Sequence, residues 1–144
     1  MKYISFFIVI YLIIPCAILA QPSVIGKWKT IDDETGKAKS VVELYESDGE
    51  LFGKIVKLYR EQGEDPDPIC DKCPVDDSRY NTKVIGMVII KNMKKSGDEY
   101  EGGTVLKPDE GKIYKCKIWL DKGNLQVRGY WGMFYRTQSW VKYQ

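Results

Sequence analysis

Histidine is absent from the 144 residues of the chain. Its absence excludes Ser–His and Cys–His nucleophile pairs, histidine general bases and every histidine-ligated metal site. Cysteine is scarce too: three of the four cysteines follow residue 20, too few for a zinc site built from cysteine alone. Nucleophile elbows, P-loops and dinucleotide-binding glycine patterns are also missing. The sequence therefore predicts a protein without catalytic residues, cofactor or metal.

Neither sign of charge dominates the chain. It carries 22 lysines and arginines against 20 aspartates and glutamates, for a net charge of +2. This balance leaves no basic footprint for nucleic acid, so we expect no nucleic-acid partner. The length beyond residue 20 suits one domain with one core, and we expect a monomer with a single domain over residues 21–144.

The first twenty residues contain the one long apolar run. Lys2 begins a short positive region, residues 3–14 are almost entirely apolar, and Pro15 ends the run shortly before Ala20. This layout is typical of a secretory signal peptide, here residues 1–20, cut after Ala20. Pro15 comes too early for a membrane span of about 20 apolar residues. We expect a periplasmic or secreted protein with no transmembrane span in the mature chain; a lipid anchor at Cys16 is the alternative.

Helical periodicity is missing after residue 20, where period-two patterns and short apolar runs alternate with glycine turns. An antiparallel meander is the most economical order for such strands, because consecutive strands usually pair. Eight strands can close into a barrel that is packed solid or holds one small ligand. Two packed sheets are the alternative. The predicted strands are residues 26–31, 40–46, 51–59, 84–91, 99–106, 112–120, 125–130 and 135–143.

Gly26-Lys27-Trp28 opens the first predicted strand. In ligand-binding barrels of the lipocalin type, a Gly-x-Trp in this place stacks against a cation from the last strand, here Arg136 or Arg128. A core tryptophan without that relationship is the alternative. The predicted fold class is therefore all-β: an antiparallel, lipocalin- or calycin-like barrel of about eight strands in a mostly meander order.

Cys70 and Cys73 form the sharpest local motif, a Cys-x-x-Cys inside the long connection at residues 61–83. In an exported protein these two cysteines are expected to form a disulfide. Thiol redox catalysis is the alternative, although no helical pattern follows that would lower a thiol pKa. Cys116 shares a strand face with apolar residues, so we expect it in the core; a bridge to the connection is the alternative.

The same connection is rich in carboxylates, which could hold a divalent cation. A calcium loop needs fixed ligand spacing and a glycine at its sharp turn, and that spacing is absent here. We therefore expect a solvated acidic loop. Its carboxylates are Glu61, Glu64, Asp65, Asp67, Asp71, Asp76 and Asp77.

Aromatic residues crowd toward the end of the chain, where residues 131–134 (Trp-Gly-Met-Phe) form an apolar loop between strands. This loop either caps the barrel or rims a pocket or partner surface, where tryptophan and tyrosine contribute most of the binding energy. Arginines that point into the barrel would bind an anion, and arginines that point out would be surface groups. The predicted ligand-binding residues are Trp28, Tyr114, Arg128, Trp131, Tyr135 and Arg136.

Six short stretches, most of them bearing glycine, follow one another along the chain. They are Gly26-Lys27-Trp28, Gly53-Lys54-Ile55-Val56, Glu101-Gly102-Gly103-Thr104-Val105, and residues 108–117, 125–130 and 136–140. Over residues 24–142 the chain thereby resembles the exported bacterial proteins grouped as domain-of-unknown-function family 2147. The resemblance implies export and a compact β-fold, and it supplies no reaction and no catalytic residues.

These features together predict an exported, non-catalytic protein that binds a small apolar or anionic ligand in the mouth of a β-barrel. The alternative is a structural or protein-interaction module of the bacterial cell envelope, with the loop at residues 131–134 as its contact surface. A solid core and an exposed apolar tip would favour the alternative.

Overall fold

The computed structural model describes residue 15 and residues 19–144. The apolar run at residues 3–14 and Cys16 lie outside the described residues, and with them the features that predict a signal peptide or a lipid anchor. Within the described part, no helix is long and apolar enough to cross a membrane.

Eight antiparallel strands form a closed barrel, in which each strand pairs with the next in sequence and β8 pairs with β1. This confirms the predicted all-β barrel and its meander order. The seam between β1 and β8 is short and joins Trp28 and Lys29 to Lys142 and Val141. The strands are β1 (Gly26–Ile31), β2 (Ala38–Ser47), β3 (Glu50–Leu58), β4 (Val88–Ser96), β5 (Glu99–Lys107), β6 (Lys112–Asp121), β7 (Asn124–Trp131) and β8 (Phe134–Lys142).

Side chains alternate between the inside and the outside of the barrel along each strand. On β6, Cys116 and Ile118 are buried, whereas Lys115 and Lys117 belong to the outer face. Fully burying one large apolar side chain contributes about 1.5–3 kcal/mol. The middle of the barrel is filled by such side chains, among them Leu44, Leu51, Ile90, Met93, Ile118 and Leu125.

The prediction for β4 is wrong in its bounds. The apolar run predicts a strand at residues 84–91, whereas β4 spans Val88–Ser96. Val84 and Met87 are buried in a turn before the strand, where the Met87 N–H donates to the Val84 carbonyl. The strand instead continues through polar residues, because pairing with β5 sustains it up to the hairpin turn.

Cys70 and Cys73 form the predicted disulfide, with Cα atoms 5.4 Å apart and both residues buried. The segment that it closes packs on the turn between β5 and β6, where the Lys72 ammonium donates to the Asp109 carbonyl at 3.0 Å. Gly111 in that turn lies directly against the Lys72 carbonyl. The disulfide therefore stiffens the part of the long connection that docks on the barrel.

An ion pair between the buried Arg79 and the partly exposed Asp77 holds the next part of the connection. The Arg79 guanidinium, only 8% exposed, donates to the two Asp77 carboxylate oxygens at 2.8 and 2.7 Å and to the Val88 carbonyl at 3.0 Å. The hydrogen bonds from Arg79 hold the pKa of Asp77 well below its usual range. Such bidentate, charge-assisted contacts are stronger than neutral hydrogen bonds. They attach the connection to the start of β4.

The outer side of the connection is acidic and exposed, as expected. Glu61 pairs with Lys37, and Asp67 pairs with Lys83, all four with exposed side chains. Exposed pairs of this kind contribute little to stability. Among the residues that the structure describes, no group of three or more cysteines, aspartates or glutamates is placed to hold a metal ion.

Candidate functional site

The two ends of the barrel differ. At the end that carries the β2–β3, β4–β5 and β6–β7 turns, the buried Trp28 indole donates to the Val24 carbonyl at 2.7 Å. Val24 precedes β1 and is itself buried, so the chain folds under this end. The other end carries the β1–β2, β3–β4, β5–β6 and β7–β8 connections, and we call it the mouth.

An open cleft of about 390 Å³ lies at the mouth, lined by Lys112, Tyr114 and Trp131. The rings of Tyr114 and Trp131 are tilted against each other with centroids 5.8 Å apart, and Phe134 stacks on Trp131 at 6.3 Å. The Lys112 ammonium has no carboxylate within 4.0 Å in the described part of the chain. Aromatic faces beside one uncompensated cation suit a partly apolar group that carries a negative charge.

Tyr114 is held in place at the rim of this cleft. Its hydroxyl donates to the Glu110 carboxylate at 3.0 Å, and Lys107 pairs with the same carboxylate. Burial and the hydrogen bond to Glu110 raise the pKa of Tyr114, so the phenol is protonated at neutral pH. Gly129 lies under the ring, where an added Cβ would meet the Tyr114 Cβ at 3.4 Å. The ring therefore has a fixed position before any ligand binds.

Arg136 and Gln138 point into the mouth, but Asp33 already compensates the arginine. Asp33, which follows β1, accepts from the Arg136 guanidinium at 2.8 Å and from the Gln138 amide at 3.2 Å. Gln138 in turn accepts from the Trp140 indole at 3.4 Å. The network ties the β1–β2 connection to β8 and makes Arg136 a weaker anchor for an anion than Lys112.

Arg128 and Tyr135 lie on the outer face of the barrel. Because Val127 is buried, alternation turns Arg128 outward. The Arg128 guanidinium lies 4.9 Å from the Trp119 ring centroid and 4.3 Å from that of Tyr135, and it donates to the Thr137 hydroxyl at 2.7 Å. Arg128 and Tyr135 therefore face away from the interior of the barrel and from a ligand held at its mouth.

The six predicted binding residues thus fall in four places. Tyr114 and Trp131 meet at the cleft, Arg136 lies beside Asp33 at the mouth, Arg128 and Tyr135 lie outside, and Trp28 lies at the opposite end. The cation that lies over Trp28 is also neither Arg128 nor Arg136, the two candidates from the sequence. It is the Lys142 ammonium from β8, 4.5 Å from the Trp28 ring centroid.

Sequence reasoning missed three residues of the mouth: Lys112, Phe134 and Asp33. Lys112 could have been found, since it lies two residues before Tyr114 and so on the same strand face. Phe134 could have been found as well, because it pairs with Trp131 across a two-residue turn. Asp33 gives no local signal, since its partners lie more than a hundred residues away in sequence.

The three cysteines that the structure describes are all buried. Cys116 is a free thiol in the core, as predicted, and burial raises its pKa to about 12. Cys70 and Cys73 are almost fully buried as a disulfide.

Comparisons with known proteins agree with this fold. The sequence profile of the family DUF2147, described as an uncharacterized protein conserved in bacteria, matches residues 26–142. Among solved structures, a protein from the human pathogen Helicobacter pylori that is described as belonging to the lipocalin family is similar at a TM-score of 0.70 and 20% identity, over 85% of this chain and 84% of that chain. No curated protein matches the sequence. At this identity the structural likeness concerns the fold alone.

Proposed function

Since the chain belongs to the DUF2147 family of bacterial proteins and folds as a lipocalin-like barrel, we propose that it is an exported, non-catalytic protein that binds a small, partly apolar ligand at the mouth of the barrel. The open cleft lined by Lys112, Tyr114 and Trp131 is the observation that carries the proposal. The lipocalin-like fold alone does not define what the protein binds, because one fold hosts many functions.

The filled core restricts where the ligand lies. Ile90, Met93 and Ile118 occupy the interior below the mouth with no exposed surface. A ligand would therefore lie at the mouth and not inside the barrel, with a flat apolar part against the Tyr114 and Trp131 rings. A carboxylate, phosphate or sulfonate on the ligand would contact the Lys112 ammonium.

Two features support export. Residues 1–20 have the layout of a signal peptide, with Lys2 before the apolar run and Ala20 at the cleavage position. A buried disulfide between Cys70 and Cys73 suits an oxidising compartment such as the periplasm. Attachment of lipid at Cys16 would place the same barrel at the membrane outside the cytoplasm. A monomer is part of the proposal, since β8 closes the barrel on β1 within one chain.

The proposal contains no reaction. Catalysis of acyl or phosphoryl transfer needs a nucleophile beside a base, and the cleft residues are an ammonium, a phenol and an indole. The Tyr114 phenol is held protonated, and its hydrogen bond to Glu110 orients the ring. These groups bind and orient a ligand.

The Tyr114→Ala variant tests the site. With anilinonaphthalene sulfonate, an anionic aromatic dye, as the probe, we expect saturable binding to the wild-type protein. Removing the ring should weaken that binding at least tenfold, about 1.4 kcal/mol, because an aromatic contact surface is lost. The dissociation constant is measured by fluorescence titration.

Tyr45→Ala is the matched control. Its ring stacks on Phe52 with centroids 5.9 Å apart, on the outer wall next to the β2–β3 turn at the far end of the barrel. We expect its dye affinity to equal that of the wild type. Equal affinity in the Tyr114→Ala variant, or binding that does not saturate, would remove the mouth as the site.

A second candidate function is an interaction module of the cell envelope. Two observations favour it: the core of the barrel is filled, and Met133 and Phe134 at the β7–β8 turn are 93% and 66% exposed. Contiguous apolar groups in water mark an interaction surface.

A further inference from the structure

The β7–β8 turn projects an apolar tip, defined by Trp131, Met133 and Phe134, from the rim of the mouth. Trp131 is 47% exposed and stacks on Phe134, while Met133 between them is almost entirely exposed. Tyr135 follows at 58% exposure. Met133 and Phe134 are left largely in contact with water, so a partner that removes them from water would gain hydrophobic free energy.

The strands that carry the tip are almost free of carboxylates. Residues 112–144 hold seven lysines and arginines and a single acidic residue, Asp121, whereas residues 1–111 hold 15 basic and 19 acidic residues. Asp121 ends β6 at the barrel end opposite the tip. The near-neutral total charge therefore conceals an excess of positive charge in the wall formed by β6, β7 and β8, although Lys112 and Arg136 face the mouth and Lys142 lies at the far end.

The outer side of this wall combines cations with amphipathic rings. Lys115 is exposed on β6, and Arg128 lies between Trp119 and Tyr135 at 4.9 and 4.3 Å from their centroids. Tyr130 adds a ring 5.9 Å from that of Tyr135. Tryptophan and tyrosine are the residues enriched where protein meets the membrane–water interface. We call this outer side the basic face.

We propose that the apolar tip and the basic face together dock the protein on the surface of a bilayer that contains anionic phospholipid. Met133 and Phe134 would enter the boundary between headgroups and acyl chains, and Trp119, Tyr130 and Tyr135 would lie at headgroup level. Lys115 and Arg128 would contact lipid phosphates. This names the partner for the second candidate function, and the tip shares Trp131 with the cleft.

The acidic groups near the tip do not oppose this docking. Asp33 is compensated by Arg136, and Asp77 is compensated by Arg79. On the basic face itself, Lys117 is paired with Glu99 of β5 and so contributes least. The acidic connection between β3 and β4 lies at the same end of the barrel as the tip, where its Asp67 and Glu61 are paired with Lys83 and Lys37.

Vesicle co-sedimentation tests the proposal, with vesicles of phosphatidylethanolamine and phosphatidylglycerol against vesicles of phosphatidylcholine. The protein prepared for this assay lacks residues 1–20, because the closed barrel and its buried core lie wholly within residues 24–143. We expect binding to the anionic vesicles. The double variant Met133→Ser and Phe134→Ser should bind at least tenfold more weakly, because it loses the inserted apolar surface.

Matched substitutions separate the tip from general surface effects. Val75→Ser removes an equally exposed apolar residue, 79% exposed, from the acidic connection and should bind like the wild type. Lys115→Glu should weaken binding about tenfold, since each lysine near an anionic surface contributes about fivefold. Lys95→Glu makes the same charge change near the end of β4, at the barrel end opposite the tip, and should have little effect.

Failure to bind anionic vesicles, or equal binding by the tip variant and Val75→Ser, would overturn the docking surface. A lipid-free dimer that the tip variant abolishes would assign the tip to a second copy and would also overturn it. Tyr114→Ala distinguishes this proposal from the ligand site. It should bind vesicles normally while losing dye affinity.

Discussion

The Gly111→Ala variant is expected to lose about 3 kcal/mol or more of the free energy of unfolding, well beyond the loss in Gly36→Ala. Both glycines have the same left-handed backbone, with φ of +67° and +69°. Alanine in this conformation costs about 1–2 kcal/mol at either site. At Gly36 an added Cβ meets nothing within 4 Å, whereas at Gly111 it would lie 1.7 Å from the Lys72 carbonyl oxygen.

The additional loss of stability in Gly111→Ala arises because the new Cβ atom would clash with a backbone carbonyl, that of Lys72. The Lys72 carbonyl belongs to the segment closed by the Cys70–Cys73 disulfide, which cannot yield as a flexible side chain would. Either the β5–β6 turn or the disulfide segment must move off the barrel. Urea unfolding of both variants measures the difference in the free energy of unfolding. If the two alanine variants were equally stable, the disulfide segment would not dock on this turn.

The Arg79→Ala variant is expected to lose about 1.5–3 kcal/mol of stability, because it removes the charge-assisted hydrogen bonds from Arg79 to the Asp77 carboxylate and to the Val88 carbonyl. Arg60→Ala is the matched control. Arg60 pairs with Glu64 at 3.6 Å, with both side chains substantially exposed, and such a pair contributes at most about 1 kcal/mol. Chemical denaturation of the two variants at neutral pH measures this difference.

The Arg79–Asp77 pair also predicts a pH dependence. The pKa of Asp77 is lowered in the folded protein, so the pair contributes its full stability above the unfolded aspartate pKa of about 3.9 and loses it as pH falls below that value. The wild type should therefore lose this contribution in acid, and Arg79→Ala should lose less. Equal stabilities of Arg79→Ala and Arg60→Ala at neutral pH would contradict a structural role for the Arg79–Asp77 pair.

The fold follows from local patterns, because alternation and glycine turns are short-range properties. Seven of the eight strands lie close to their predicted bounds. β4 does not, because the apolar run at residues 84–91 contains both a buried turn and a strand, and period alone cannot separate them. Gly86, with φ of +89°, marks the point where the turn ends.

The site was predicted less well, for two different reasons. Tyr135 and Arg136 are neighbours on one strand, so they face opposite sides of the barrel and cannot share a site. The same alternation turns Arg128 away from the interior that Val127 faces, and this could have been deduced from the sequence. The compensation of Arg136 by Asp33 could not, because it depends on where the β1–β2 connection lies in space.

Native mass spectrometry of the protein purified from a bacterial envelope tests the central claim, that the mouth holds a natural small ligand. We expect one bound molecule per chain in the wild-type protein. Excess anilinonaphthalene sulfonate should displace this molecule, and it should be absent from the Tyr114→Ala variant purified in the same way. Wild-type protein that is always bare, or a bound molecule retained equally by Tyr114→Ala, would contradict this claim.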